Sequence, residues 1–487
     1  MRRVSGAGGA GQAARRRPLL ETAGASSPSG QLCLARDKAK AVRVFRKSVE
    51  SRSPVSAHAT AAPANSPGRV LFASLVGTTI EFFDFYIYAT AAVLVFPKLF
   101  FPGSDPTSAV LQSFATFAIA FLARPIGAVL FGHFGDRVGR KATLVAALMT
   151  MGLSTVAIGL LPTYASIGVA APLLLALFRL GQGLGLGGEW GGAVLLATEN
   201  APPGKEAWYG MFPQLGAPIG FICSAGSFLI LSELLSDEQF FSYGWRIPFV
   251  ASALLVMVGL YVRLKITETP AFRKALERHE RVRVPMLTVV TEHTSALVLG
   301  TVAAIATFVI FYLMTVFALS WGTSVLGYAK NQFLPLQMIG VVFFGLTIPV
   351  AARIADRIGT ERALIGASVA IFAFGFLFEP LFGSGGAAGV LLFLSIGLGL
   401  MGFTYGPLSA ALSELFPTAV RYTGASLAFT LAGILGASPA PYVATYLASA
   451  HGLAAVGYYM SAMAALSAFA FWLVGRRRTF RLAAGRA

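Results

Sequence analysis

Twelve stretches of this sequence are apolar for about the length of a membrane helix, and that repetition constrains the fold more than any motif does. They fall near 70–96, 109–131, 143–161, 170–197, 207–232, 245–265, 294–322, 334–352, 363–382, 388–413, 422–447 and 453–475. About 20 apolar residues cross the hydrocarbon of a bilayer as a helix. A chain in lipid must satisfy its backbone polar groups internally, which leaves helices and closed barrels. Barrel strands would read as short alternating segments, and these runs are continuous. Hydrophobic residues make up 56% of the chain and charged residues 12%, about half the charge of a soluble domain. The expected fold class is an all-α polytopic membrane protein with 12 transmembrane helices.

A net charge of +17 would suggest nucleic acid in a soluble protein. Its placement here fits topology instead. Residues 1–69 hold 13 Lys/Arg against 3 Asp/Glu. Of the other 25 basic residues, 20 fall in segments on the side of the N-terminus, counting seven from Arg263 to Arg283. Three (Lys98, Arg246 and Lys330) fall on the opposite side, and Arg124 and Arg179 lie within spans. The positive-inside rule then puts both termini in the cytoplasm, and nucleic acid is not an expected partner. Cys33 and Cys223 support no disulfide framework. The five histidines show no metal-ligand spacing, so no metal is expected. The Arg- and Ser-rich leader reads as an organelle transit peptide, as a disordered tail, or as the product of an upstream start, with Val55 the alternative first residue; the intact mass of the native protein separates these.

The chain repeats itself. GHFGDRVGRK at 132–141 lies between spans two and three, and ARIADRIGTER at 352–362 between spans eight and nine, so that Asp136 and Asp356 hold the same place in the two copies. ATENAP ends span four and LSELFP ends span ten, and Glu199 and Glu414 correspond at nearly the same offset. The expected organisation is a leader (1–69), an N-terminal six-helix bundle (70–266), a cytoplasmic linker (267–293), a C-terminal six-helix bundle (294–475) and a tail (476–487). The linker's AFRKALERHERV has the pattern of a short surface helix. GLGLGG at 183–188 fits the dinucleotide fingerprint, but no strand precedes it, and close helix packing is the expected role.

Ionisable groups at bilayer depth cost about 2.5–3.5 kcal/mol each on insertion scales and usually mark function. Five lie in the first half: Glu81, Asp84, Arg124, Arg179 and Glu189. The second half has Glu379 and Glu414, both near span ends. At 1.5 Å per residue, Glu81, Asp84, Arg124 and Arg179 sit about 14–21 Å deep, near the midplane. Glu81, Asp84 and Tyr88, at i, i+3 and i+7, share one helix face. Burial and a nearby arginine pull a carboxylate's proton affinity in opposite directions, as a proton carrier requires. Asp84 is the first candidate for the coupling proton and Glu81 the second. Arg124, beside the kink at Pro125, suits a carboxylate clamp. Gln182, one turn from Arg179, is the best placed of the span glutamines, ahead of Gln214 and Gln337. The alternative for these charges is ion pairing that merely holds helices together, and Glu189, toward the inner end, is expected to play that structural part. Tyr86, Tyr88, Tyr312, Trp321 and Tyr405 are candidate cavity aromatics.

GHFGDRVGRK closely resembles the signature loop of the major facilitator superfamily, whose members pair two six-helix halves. The resemblance implies a gating latch built from Gly132, Asp136, Arg137, Gly139, Arg140 and Lys141, with a second copy at Asp356 and Arg357. Thr360 and Glu361 replace the basic pair there, so the second latch is expected to be the weaker. IEFFDFYIY (80–88), FLARPIG (121–127), RLGQGLGLGGEWGGA (179–193), GWRIPF (244–249), ETPAF (268–272) and ELFPTAVRYTGAS (414–426) together resemble the metabolite:H+ symporter family over residues 70–475, most of all its branch with shikimate permease and inner-membrane metabolite transporters. That resemblance implies inward symport of a small organic metabolite with protons, by alternating access, in the cell inner membrane. It implies that Arg179 interacts with the proton site or substrate. No enzyme activity or cofactor is implied, and a monomer is expected. The two arginines favour a carboxylate substrate of shikimate or di/tricarboxylate type. The alternatives are a proline/betaine carrier, whose osmosensing members often carry a long C-terminal coiled coil where this chain has RRRTFRLAAGRA, an uncoupled facilitator, and a non-transporting sensor.

Overall fold

A computed structural model describes residues 67–137, 140–264, 285–417 and 420–484. By contacts the chain divides into residues 1–63 and 64–487, and the second unit contains every helix named below. These are α1 (Pro67–Leu94), α2 (Pro106–Arg137), α3 (Arg140–Leu160), α4 (Ala170–Thr198), α5 (Glu206–Leu234), α6 (Arg246–Leu264), α7 (Thr294–Ser324), α8 (Lys330–Ile358), α9 (Thr360–Gly375), α10 (Ala387–Glu414), α11 (Arg421–His451) and α12 (Leu453–Ala484). No strand occurs among the described residues.

The helices are apolar on most sides, as expected of spans whose outer face meets lipid rather than water. Leu122, Ile126, Leu173, Leu254, Leu346 and Tyr446 are each more than half exposed, and a soluble protein does not leave large apolar surface bare. Eleven of the twelve helices are long and apolar enough to cross a membrane. The other is α9. The expected continuous span 363–382 is broken at Phe376–Leu377 and resumes as a short helix, Phe378–Phe382. Pro380 accounts for the break, because it lacks an amide donor and crowds the preceding turn. α12 runs on into the residues expected to form the tail. The expected linker helix lies outside the described residues; the chain returns as a short helix, Pro285–Glu292, before α7.

The same pairings recur in both halves: α1 with α5, α2 with α4 and α3 with α6, then α7 with α11, α8 with α10 and α9 with α12. The fold is thus two six-helix bundles in one chain. Without water to drive association, such helices adhere by close packing of small residues. The GLGLGG stretch does this: a Cβ on Gly183 would lie 2.3 Å from the Ala120 carbonyl oxygen, and one on Gly187 2.0 Å from that of Arg124. The glycines are therefore the packing surface of α4 on α2, as the sequence suggested, rather than a nucleotide loop.

The halves meet along α5 with α8 and α10, and α2 with α11. They are latched at the end from which the linker departs. Asp356, near the end of α8, accepts hydrogen bonds from the backbone amides of Ala207 (3.0 Å) and Trp208 (3.1 Å) at the start of α5. A carboxylate from one half thus caps a helix of the other, whose own N-cap residue Lys205 makes no side-chain cap. Arg353 lies 4.4 Å from the Trp208 ring centroid, and Ser409 donates to the Gly210 carbonyl (3.1 Å). The second copy of the repeated loop, expected to latch the more weakly, therefore bridges the halves. Arg357 beside it is exposed. In the first copy the side chains of Asp136, Arg137, Arg140 and Lys141, the surroundings of Gly132, and Gly139 altogether, lie outside what the structure describes. Losing a helix cap costs about 1–2 kcal/mol, and a charge at a helix N-terminus is of similar weight. Asp356→Ala is accordingly expected to raise the population with a parted linker end about tenfold, read as the long-distance fraction between spin labels on the linker ends of α5 and α10.

Candidate functional site

Between the halves, near mid-membrane, lies a cavity of about 40 Å³. A water needs roughly 10–15 Å³, so it has room for a few waters and not for a metabolite, and aromatic contacts narrow it on both sides. Toward the linker end Trp190 stacks on Phe429, centroids 3.8 Å apart and rings 7° from parallel. Toward the far end Tyr312 packs edge-on against Phe117 and Phe121 (5.7 and 5.6 Å), and Tyr86 lies against Phe311 (5.5 Å). Tyr86, Tyr312 and Tyr405 line the cavity. Trp321, another aromatic candidate, instead stacks on Phe317.

Two charged residues line this cavity, Glu81 from α1 and Arg124 from α2. Glu81 is 2% exposed and its Oε2 has no hydrogen-bond partner. Arg124 is 6% exposed. Its guanidinium carbon sits 4.7 Å from the Phe85 centroid and 4.5 Å from that of Phe121, and its Nε has no partner. Stacking between rings holds a planar guanidinium by its faces and leaves its donor edge available. Pro125 lies inside α2 directly after Arg124, where its missing amide loosens the helix.

Asp84, Arg179, Gln182 and Tyr88 stand behind the cavity wall. Ser252 of α6 donates to Asp84 Oδ1 (2.5 Å), while Oδ2 has no partner. Arg179 lies 3.9 Å from the Tyr88 centroid and donates to Gln182 Oε1 (2.8 Å). Gln182 Nε2 donates to Thr155 (2.7 Å), and Thr155 stands beside Asp84. Tyr88 donates to Thr116 (2.7 Å). The expected common face of Glu81, Asp84 and Tyr88 is split. Three residues leave Asp84 about 60° around the helix from Glu81, and seven carry Tyr88 about 10 Å further along. α1 is enclosed by neighbours, so those offsets turn Asp84 to α6 and Tyr88 to α2.

A third charged group was not legible in the sequence. Arg263, grouped there with the linker's basic residues, is 7% exposed within α6 and forms an ion pair with Glu189. Its Nη1 donates to the Leu144 carbonyl (2.7 Å). Lys265 follows almost at once, and nothing in the sequence marks the boundary between them. Glu189 sits where α4 breaks, between the segments ending at Gly187 and starting at Trp190. Tyr422 of α11 donates to the Gly188 carbonyl there (2.5 Å). Trp190 Nε1 donates to Gln214 (3.1 Å), and Gln214 donates to the Tyr405 carbonyl (3.0 Å). Gln214 is thus a strut between the halves. Gln337 holds the carbonyls of Met314 (3.1 Å) and Thr315 (2.5 Å), in the π-helical turn Leu313–Phe317 of α7.

Residues 74–441 match the family model described as Major Facilitator Superfamily. The chain is 58% identical to the inner membrane metabolite transport protein YhjE of Escherichia coli K12, over 85% of this chain and 96% of that one. It is 34% identical to the shikimate transporter of the same organism, covering 82% and 93%. It is 33% identical to the glycine betaine/proline/ectoine/pipecolic acid transporter OusA of Dickeya dadantii, covering 82% and 81%. Among solved structures, the proton:xylose symporter XylE superimposes with a TM-score of 0.67 at 16% identity, covering 83% of this chain and 95% of that one.

Proposed function

The chain belongs to the Major Facilitator Superfamily and is a polytopic metabolite transporter; from that premise we propose that it carries a small carboxylate inward together with a proton. The observation that supports this is a balance of charge. Among the described residues, the buried ionisable groups of opposite sign are Glu81, Asp84 and Glu189 against Arg124, Arg179 and Arg263. All six belong to the first bundle. Placing them at depth costs about 15–20 kcal/mol before pairing on insertion scales, a cost that selection tolerates where charge has work to do. Fully ionised, the set is neutral. Each proton taken up leaves one arginine without a buried counter-charge. Arg124 lines the cavity, so it is the arginine that a substrate carboxylate then meets.

Proton and anion therefore complete each other. Glu81 faces the cavity and exchanges the proton with it. Asp84, first in order on sequence alone, follows as a second proton site, reaching Arg179 through Thr155 and Gln182. Each has one carboxylate oxygen without a hydrogen-bond partner. The two narrowed sides open in turn, the linker end toward the cytoplasm of an inner membrane with both termini inside. The site is completed by two halves of one chain, so a monomer suffices.

A zwitterion such as betaine would leave the protonated site's positive charge uncompensated, so its symport would move one charge per proton, at about 2.3 kcal/mol per 100 mV. The test is uptake into proteoliposomes under an inward proton gradient, with labelled shikimate, dicarboxylates, proline and betaine. Protonophore-sensitive accumulation of a carboxylate is expected. Accumulation of betaine or proline alone overturns the substrate class, and uptake indifferent to the gradient overturns symport.

A further inference from the structure

We propose that Arg263 is a positioning residue that couples the proton state of Glu81 to the Trp190–Phe429 gate, by exchanging its partner between Glu189 and Glu81. The proposal rests on the proton-coupled reading and assigns that reading a route from cavity to gate. The guanidinium of Arg263 is wedged among four helices of the first bundle. It pairs with Glu189 of α4, donates to the Leu144 carbonyl of α3, and presses on α1, where a Cβ on Gly77 would lie 3.2 Å from Nη2. Gly77 is one turn before Glu81, and Arg263 and Arg124 are the charges that Glu81 feels from α6 and α2. From the second bundle, the Tyr422 hydroxyl of α11 faces Arg263. Among the described residues, no charged side chain of α3 is buried beside it.

One arginine thus stands between two carboxylates, both with oxygens that lack a hydrogen-bond partner, and its ion pair is with Glu189. In this scheme the pair with Glu189 forms while Glu81 carries the proton. When Glu81 loses its proton, two buried anions compete for one cation. Arg263 moving toward Glu81 leaves Glu189 short of its partner at the break of α4. The next residue is Trp190, half of the gate stack, and the preceding carbonyl, of Gly188, holds Tyr422 of the other bundle. Glu189 stripped of its counter-charge draws in water at the joint where the gate is hinged, and the linker end parts.

The test uses Ser426→Cys, beside the gate, where a Cβ on Gly191 would lie 1.8 Å from the Ser426 hydroxyl, in a Cys33→Ala/Cys223→Ala background in nanodiscs. The rate of labelling by a membrane-impermeant maleimide, corrected for thiol ionisation with a free-cysteine peptide, is followed from pH 5 to pH 8. We expect the corrected rate to rise at least fivefold with pH. Glu81→Gln should hold it at the low-pH level. The doubly neutral Arg263→Gln/Glu189→Gln, which leaves no orphaned charge and so preserves the fold, should make it independent of pH. A flat profile in the parent, or a profile unchanged in the double variant, overturns the proposal. If labelling responds as expected while uptake ignores the proton gradient, the switch stands and the symport reading falls.

Discussion

Glu81→Gln is expected to leave the protein exchanging substrate but unable to concentrate it. Uptake driven by an inward proton gradient should fall at least tenfold, while exchange of internal unlabelled for external labelled substrate should fall less, by about fivefold, the reduced opening of the linker end that a permanently neutral side chain implies. Glutamine has the size of a protonated glutamate and cannot ionise, so it fixes one of the two states through which the cycle must pass. Exchange runs back and forth through the loaded state alone, whereas net transport must release the proton and reset. Because Glu81 lies on the cavity wall with an oxygen lacking a partner, the amide takes the place of the protonated acid there. Asp84→Asn is the companion measurement. Asp84 is held by Ser252 behind the wall, and if it is the second site its loss should weaken coupling less than that of Glu81. The reverse order would return Asp84 to the first place it holds on sequence alone.

Arg124→Lys is expected to raise the concentration of carboxylate needed for half-maximal exchange by about 30–100-fold, a loss of about 2–3 kcal/mol, the range of a charge-assisted hydrogen bond to a buried group. The positive charge is conserved in this substitution, so charge alone predicts little effect. What is lost is the planar fork, stacked between Phe85 and Phe121, which presents two donors to a carboxylate in fixed geometry; an ammonium presents a point charge. Tight-binding exchange of a carboxylate by Arg124→Lys would show that the anion sits elsewhere, with Arg179 the next position to examine. Arg179 is fully buried and does not line that cavity, so the same substitution there should weaken exchange through packing rather than specificity.

The spans and the two-half repeat were legible in the sequence because hydropathy reports what lipid enforces, and because one loop occurs twice, around Asp136 and Asp356. The buried charges were legible too, since a Glu or Arg within an apolar run stands out. Which of them meet was not. The helical offset that turns Asp84 to α6 and leaves Glu81 on the cavity is a fraction of a turn, finer than any sequence pattern resolves. Arg263 was missed because a span end and the start of a basic linker look alike in composition, and only packing shows that its guanidinium points back into the bundle. The capping of α5 by Asp356 was not legible for a related reason: it uses backbone amides of the other half, which no sequence pattern marks.

The central claim is that one proton enters with one carboxylate because the same event exposes Arg124 and neutralises its counter-charge. The direct test is to record substrate uptake, proton uptake and current together in proteoliposomes supplied with the carboxylate that the screen identifies. The account predicts equal initial rates of proton and monoanion entry and no current, with uptake insensitive to an imposed membrane potential when the two sides share one pH. Substrate entry without proton entry, or an inward positive current accompanying a monoanion, would contradict it.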